Sequence, residues 1–172
     1  MRGDEDDIIV FVRAREGSEE AFEILFQRYF EAVYAFVYRV SLDVGAAEDS
    51  AQETFIKAAR SLRRFRGDAA FRSWLFQIAM NTTRDWQRRV IRERLVLEEV
   101  GERVQEGDRQ RSADFGNVRE ALAALKDDFR YAIALVYFEG FSHAESARIL
   151  NCSESTVSWR IFRAKRQLKR WF

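Results

Sequence analysis

Proline is absent from the 172 residues, and cysteine and histidine occur once each, as Cys152 and His143. The first absence excludes stiff polyproline spacers. A single thiol can form neither an internal disulfide nor a thiolate-rich zinc site, which suits a reducing compartment. A single histidine leaves no Glu-x-x-His pair for a bundle metal, and there is no Gly-x-x-x-x-Gly-Lys phosphate loop. The expectation is a chain with no catalytic residues, no metal and no cofactor, and so not an enzyme. Strand signals are scarce too: Asn-Gly and Asp-Gly pairs are missing, and nothing alternates for long. The longest unbroken apolar run, Tyr131 to Phe138, falls far below the ~20 residues of a membrane span. The start, Met1-Arg-Gly-Asp-Glu-Asp-Asp7, is acidic where a signal peptide is basic and then apolar. These features predict a cytoplasmic protein with no membrane insertion.

What is present is a large apolar fraction, 47%, enough to build a core and to exclude wholesale disorder. The net charge of +1 hides a segregation. Residues 1–62 carry −6, residues 63–92 carry +6, residues 93–115 carry −3, residues 116–150 carry −1 and residues 151–172 carry +5. Two basic blocks therefore stand apart inside acidic sequence, a pattern that points to a polyanionic partner or, more plainly, to solvated helix faces.

Helical periodicity runs through most of the chain. From Phe22 the apolar positions Leu25, Phe26, Tyr29, Val33, Phe36, Val37 and Val40 keep one stripe toward a core. Ser18 can cap this helix, with Glu19 and Glu20 favoured by the dipole in its first turn. A short helix over Asp7 to Arg15 precedes it. Further helices are predicted over Ala46 to Leu62 and, capped by Asp68, from about Ala69 to Arg92. Phe55, Phe71 and Trp74 are assigned to the core by their spacing. Residues beyond Val100 lose periodicity and are polar, charged and spotted with glycine, so they read as a linker. Val118 to Leu125 and Asp128 to Phe138 read as two more helices, the second stopped at Gly140.

The segment Ser142-His-Ala-Glu145 fits a capping box at the start of a two-turn helix. Asn151 can take the left-handed conformation that ends it, and Ser153 can cap a longer helix toward Phe172. This is a helix-turn-helix, with Ala147 at the crossing and Ile149, Leu150, Cys152, Val157 and Ile161 as its small core. The second helix carries Arg160, Arg163, Lys165, Arg166, Lys169 and Arg170, placed to meet phosphates on both walls of a major groove.

Two sets of residues resemble one family. Ala47-Glu-Asp-Ser-Ala-Gln-Glu-Thr-Phe55, Phe65-Arg-Gly-Asp-Ala-Ala-Phe71, Trp74-Leu75 and Asn81 resemble region 2 of bacterial σ70-family RNA polymerase σ factors. Ala121 to Leu125, Gly140-Phe-Ser142, Glu145, Ala147, Leu150, Ser155-Thr-Val157 and Arg160 to Ala164 resemble region 4. The match is to the extracytoplasmic-function (ECF) group, which keeps only these two regions. The resemblance implies an all-α fold of two small helical domains joined by a flexible linker. Residues 1–95 would be the σ2-like domain, 96–115 the linker and 116–172 the σ4-like helix-turn-helix domain. It also implies an alternative σ factor that binds core RNA polymerase, recognises −10 and −35 promoter elements and nucleates melting.

On matching positions, Asp49, Gln52 and Glu53 would dock on the β′ clamp helices. Arg63, Arg64, Arg66, Gly67, Asp68, Ala69, Asn81, Arg84, Arg88 and Arg89 would capture and melt the −10 element, with Asn81 on a base edge and the arginines on the backbone. Ser155, Thr156, Ser158, Trp159, Arg160, Phe162, Arg163 and Arg166 would serve the −35 element, Arg163 through a bidentate pair with guanine. Arg160 and Arg166 suit phosphates or acidic neighbours. The partners implied are core polymerase (β′ clamp helices and β flap), promoter DNA and an anti-σ factor. The family usually has a basic residue at position 158, Ser at 159 and Gly at 155, so the −35 sequence cannot be carried over from relatives. Lys126 stands where a proline is common. The same residues also allow two other functions: a stand-alone helix-turn-helix regulator, and a σ-like decoy that binds a regulatory protein.

Overall fold

The computed structural model describes residues 2–66, 70–100 and 116–171. Among them every regular element is helical: α1 (Arg2–Arg15), α2 (Glu19–Ser41), α3 (Val44–Ser61), a 3-10 turn (Leu62–Arg64), α4 (Phe71–Val100), α5 (Gly116–Ala123), α6 (Asp127–Ile133) continued by a π-helical turn (Ala134–Phe138), α7 (His143–Leu150) and α8 (Glu154–Leu168). The caps expected from the sequence form. Ser18 Oγ accepts from the Ala21 amide at 3.2 Å, and Ser153 Oγ accepts from the Thr156 amide at 3.1 Å. Asp43 adds a cap that the sequence reading missed, accepting from the Ala46 amide at 2.8 Å. Gly67, Asp68 and Ala69, with the proposed Asp68 cap, lie outside the described residues. So do the linker residues 101–115.

The α2 stripe does what its period demands. Leu25, Val33, Phe36, Val37 and Val40 are fully buried, and Tyr29 nearly so. Phe26 departs from the expectation and reaches the surface, its ring packed edgewise on Phe55 and tilted on Phe30. Small buried residues on α3, Ala47, Ala51 and Ala58, let it lie close beside α2, and α4 packs across both. Phe71 is core, against Phe11 and Tyr29. Trp74 is only half-buried. The helix α4 runs on to Val100, past residue 95, where the first domain was expected to end.

The second group, α5–α8, closes around Phe129, Leu135, Ile149, Leu150, Val157 and Ile161. Asn151 adopts φ 52°, a left-handed conformation that asparagine tolerates because its amide can bond locally. The capping box is complete: the Ser142 amide and hydroxyl both donate to Glu145 Oε2 at 2.8 Å, and the Glu145 amide returns a bond to Ser142 Oγ at 3.2 Å. These bonds hold the Glu145 carboxyl below the usual glutamate range. Its folded value is depressed, so its stabilisation is intact above the ordinary range and lost as pH falls through the lowered value. Glu145→Ala is expected to cost about 0.5–2 kcal/mol at neutral pH and less at about pH 3, because the contribution shrinks as the carboxylate is protonated. Denaturant titrations of both proteins at the two pH values check this.

The two groups share one continuous core. Phe36 on α2 packs on Phe76 (5.4 Å between centroids) and on Tyr131 of α6 (6.4 Å), and Phe76 packs on Phe141 (5.1 Å). Tyr131 donates to Gln87 Oε1 at 2.9 Å. The wider π turn changes the angular register at the end of α6. Tyr137 and Phe138 face out, while Glu139 turns in between Arg39 (2.9 Å) and Arg72 (3.6 Å).

Candidate functional site

Three surfaces carry the residues singled out in the sequence. The first is a groove of about 490 Å³ between α3 and α4. Asp49, Gln52 and Glu53 share one face of α3 and line it together, as the i, i+3, i+4 spacing requires. Lys57 crosses the groove, 3.8 Å from Glu53 and 4.0 Å from Asp85, and donates to Thr82 Oγ1 at 3.4 Å. Arg89, expected on DNA, lines this groove, with its Nε 4.0 Å from Glu93. Exposed Ile56 and half-buried Trp86 add apolar surface to the groove, which helical spacing alone did not bring out.

The second surface follows α4 from the 3-10 turn. Arg63, Arg64 and Arg66 are exposed. A cavity of about 380 Å³ is lined by Arg64, Phe65, Arg66, Trp74, Gln77 and, from α7, Arg148. Phe65 and Trp74 form a tilted ring pair at 4.7 Å. Gln77, Asn81, Arg84 and Arg88 then fall on one face at helical spacing. Asn81 is exposed. Arg88 pairs with Asp85 at 3.6 Å, whereas Arg84 is turned toward α6, 3.6 Å from Asp128 and 5.2 Å above the Tyr131 ring. Gln77 could have been found from its spacing four residues before Asn81.

The third surface is the outer face of α8. Ser155, Ser158, Trp159, Phe162, Arg163 and Arg166 are exposed side by side. Arg163 lies 6.0 Å over the Trp159 ring and Arg166 5.8 Å over Phe162, so both cations rest on aromatic supports. Trp159 in turn leans edgewise on Phe129. Thr156 is tied into the Ser153 cap at 2.7 Å. Arg160 faces inward, 2.9 Å from Asp128 and 3.8 Å from Cys152 Sγ, because its position on α8 looks toward α6. Asp128 therefore meets arginines from both basic blocks, Arg84 and Arg160.

Beside these lies an apolar groove of about 350 Å³, lined by Val118, Leu122, Ile133, Tyr137, Phe138 and Leu168. Tyr137 is 53% and Phe138 44% exposed, which is high for a pair of large rings in one patch. Its signal was in plain view: the run Tyr131 to Phe138 is apolar all round, more than one buried stripe can use. Among the described residues no cluster of His, Cys, Asp or Glu is arranged to hold a metal ion. No described helix is long and apolar enough to cross a membrane.

Family models for Sigma-70 region 2 and Sigma-70 region 4 match residues 25–93 and 115–168. Among curated relatives, the RNA polymerase sigma-H factor of Pseudomonas aeruginosa is 33% identical across 96% of this chain and 93% of its own. The ECF RNA polymerase sigma-E factor of Haemophilus influenzae is 32% identical across 91% of this chain and 90% of its own. Among solved structures, CnrH in complex with the cytosolic domain of CnrY superposes with a TM-score of 0.76 at 28% identity, covering 95% of each chain. The sigma factor RpoE of Bartonella quintana, in complex with the anti-sigma factor NepR, gives 0.73 at 28% identity, covering 87% of this chain and 95% of that one. Region 2 falls on α2–α4 with their two polar surfaces, region 4 falls on α5–α8 with the helix-turn-helix, and the chain belongs to the σ70 family, as an alternative σ factor of the ECF group.

Proposed function

We propose that this σ factor uses the three polar surfaces and the apolar groove for separate tasks in promoter recognition. The observation that carries the reading is the exposed row Ser155, Ser158, Trp159, Phe162 and Arg163 on the second helix of a helix-turn-helix. That row presents hydroxyl, aromatic and guanidinium groups side by side to solvent, the mix of chemistry that base edges require. It would enter the major groove at the −35 element, with Arg166 on phosphate and Arg160 in a supporting role on Asp128. The α4 row, with Arg63, Arg64, Arg66, Gln77, Asn81, Arg84 and Arg88, would take the −10 element. Its cavity, with the Phe65–Trp74 pair at one side, suits an unstacked base. The acidic groove of Asp49, Gln52 and Glu53 suits a basic helix of the β′ clamp, and Arg89 at its rim fits that partner better than DNA. The apolar groove around Tyr137 and Phe138 suits the β flap.

Residues 1–95 and 116–172 would be the two domains and 96–115 the connection between them. The protein would work in the cytoplasm and catalyse nothing itself. An anti-σ factor is a further partner, in the manner of the proteins bound to CnrH and RpoE in the solved structures.

Run-off transcription with added core polymerase tests the reading. Specific transcripts are expected from a subset of genomic promoters, and none from any promoter overturns it. Tight sequence-specific binding by the chain alone would favour a stand-alone regulator. Two variants refine the assignment. Arg163→Ala is expected to lose about 1–3 kcal/mol of discrimination at one −35 base pair, whereas Lys169→Ala weakens all sequences alike. Competition binding against single-base variants separates the two. Asn81→Ala is expected to slow promoter opening by roughly tenfold while leaving polymerase affinity in place, the size of one lost base-edge contact. Permanganate footprinting beside a polymerase-binding titration reads both quantities.

A further inference from the structure

The only histidine of the chain, which neither the sequence reading nor the surfaces above give a task, sits against the reading helix. His143 opens α7, and its Nδ1 lies 2.8 Å from Ser158 Oγ on α8. We infer that His143 and Ser158 form one acceptor unit, which reads a base-edge amino group, cytosine N4 or adenine N6, in the −35 major groove. The inference rests on the assignment of α8 as the −35 reader.

A serine hydroxyl has one proton to give and lone pairs to receive, and by itself it rotates to suit any base edge. An imidazole whose proton sits on Nε2 offers a lone pair at Nδ1. In that tautomer, which the inference takes, the serine proton goes to Nδ1 across the 2.8 Å contact and Ser158 Oγ presents only acceptors outward. In the major groove, cytosine and adenine offer amino donors, while guanine O6 and N7 and thymine O4 are acceptors. The pair therefore rejects bases with nothing to donate. A long basic side chain at position 158, the usual family choice, has the opposite preference because it has only donors.

Both members are held in place before DNA arrives. His143 directly follows the cap residue Ser142, whose box with Glu145 fixes the start of α7. Both 2.8 Å bonds that Glu145 accepts come from Ser142, so this neighbouring carboxylate is already engaged. Ser158 sits one turn into α8, whose start is fixed by the Ser153 cap. Ser158 is exposed and His143 half-buried, so the hydroxyl reaches the groove and the ring stands behind it. His143 is thus a positioning residue, acting through Ser158.

The test uses holoenzyme reconstituted from the full chain and core polymerase, offered a promoter library randomised across the −35 element, with bound sequences counted. Wild type is expected to show one position where cytosine or adenine exceeds guanine and thymine by about five- to fiftyfold. His143→Phe and Ser158→Ala should each flatten that position below about threefold and leave the others unchanged, with the double variant no worse than either. His143→Asn, whose carbonyl oxygen can stand in for Nδ1, should restore most of the preference, and it keeps the test valid should the phenylalanine variant fold poorly. An unchanged preference in His143→Phe, a uniform loss over all sequences, or no rescue by asparagine overturns the inference alone. A library from which holoenzyme selects no −35 sequence overturns the reader assignment and the inference with it.

Discussion

Glu139→Arg is expected to split the thermal unfolding of this protein into two transitions. The Glu139 side chain is 6% exposed and stands between Arg39 of α2 and Arg72 of α4, and Arg72 also donates to the Glu139 backbone carbonyl. Arg39 lies over the Phe138 ring at 4.6 Å, and Arg72 over Phe141 at 4.2 Å. A third guanidinium at this point would meet two like charges with no acid between them. Breaking a buried ion pair costs about 3–5 kcal/mol, and a charge reversal belongs at the upper end. The cost falls on the joint between the two helical groups and not inside either, so they should melt separately. Scanning calorimetry reads the split, and a larger hydrodynamic radius confirms parting.

The neutral substitution behaves differently. Burial pushes the Glu139 carboxyl up, and the opposing pull of Arg39 and Arg72 does not fully offset it. Glu139→Gln is therefore expected to change stability by only about 1 kcal/mol, because both arginines still reach water. The folded value is raised above the unfolded one, so this group's contribution is full below the ordinary glutamate range and is lost as pH rises through the raised value. Mild acid should accordingly strengthen the joint in wild type relative to Glu139→Gln. The difference between their melting temperatures at about pH 5 and pH 7.5 measures it.

The second large effect is Phe36→Ala. Phe36 is fully buried and touches Phe76 within the first group and Tyr131 of the second. Removing a buried phenylalanine costs about 3–5 kcal/mol, through lost transfer energy and the cavity left behind. For a chain of this size that is a fall of roughly 6–20 °C in melting temperature. Unlike Glu139→Arg, the loss reaches the first group's own core as well as the joint. The whole transition should move down without splitting, and the near-ultraviolet signal of Tyr131 should weaken as its neighbour is lost.

The joint bears on promoter reading. Elements at −10 and −35 are ~25 base pairs apart, about 85 Å at ~3.4 Å per step. A compact chain of this length has a radius of gyration of about 16 Å. The packed arrangement therefore cannot reach both elements at once, and under the proposed function the Glu139 clasp and the Phe36–Tyr131 contact must part on polymerase. The same packing ties Arg84 of the −10 row and Arg160 of the −35 helix to the single carboxylate of Asp128.

Most of what depends on neighbours along the chain is legible in the sequence. The α2 stripe, the Ser142–Glu145 box, the left-handed Asn151, the Ser153 cap and the shared face of Asp49, Gln52 and Glu53 all follow from helical spacing and side-chain chemistry within a turn or two. So does the exposed row on α8, because positions on the side opposite the 157–161–164 buried stripe face out. Folding decided the rest. That Arg160 bonds Asp128, that Arg89 belongs to the α3–α4 groove, and that Glu139 sits between two arginines are facts about partners up to a hundred residues away. The π turn packs against α2 and α7, and the inward aim of Glu139 that follows it is not encoded in helical periodicity. The near-zero net charge illustrates the division: its separation into two basic blocks is written in the chain, but which of those cations are spent inside the protein and which remain for DNA is settled only when distant carboxylates arrive beside them.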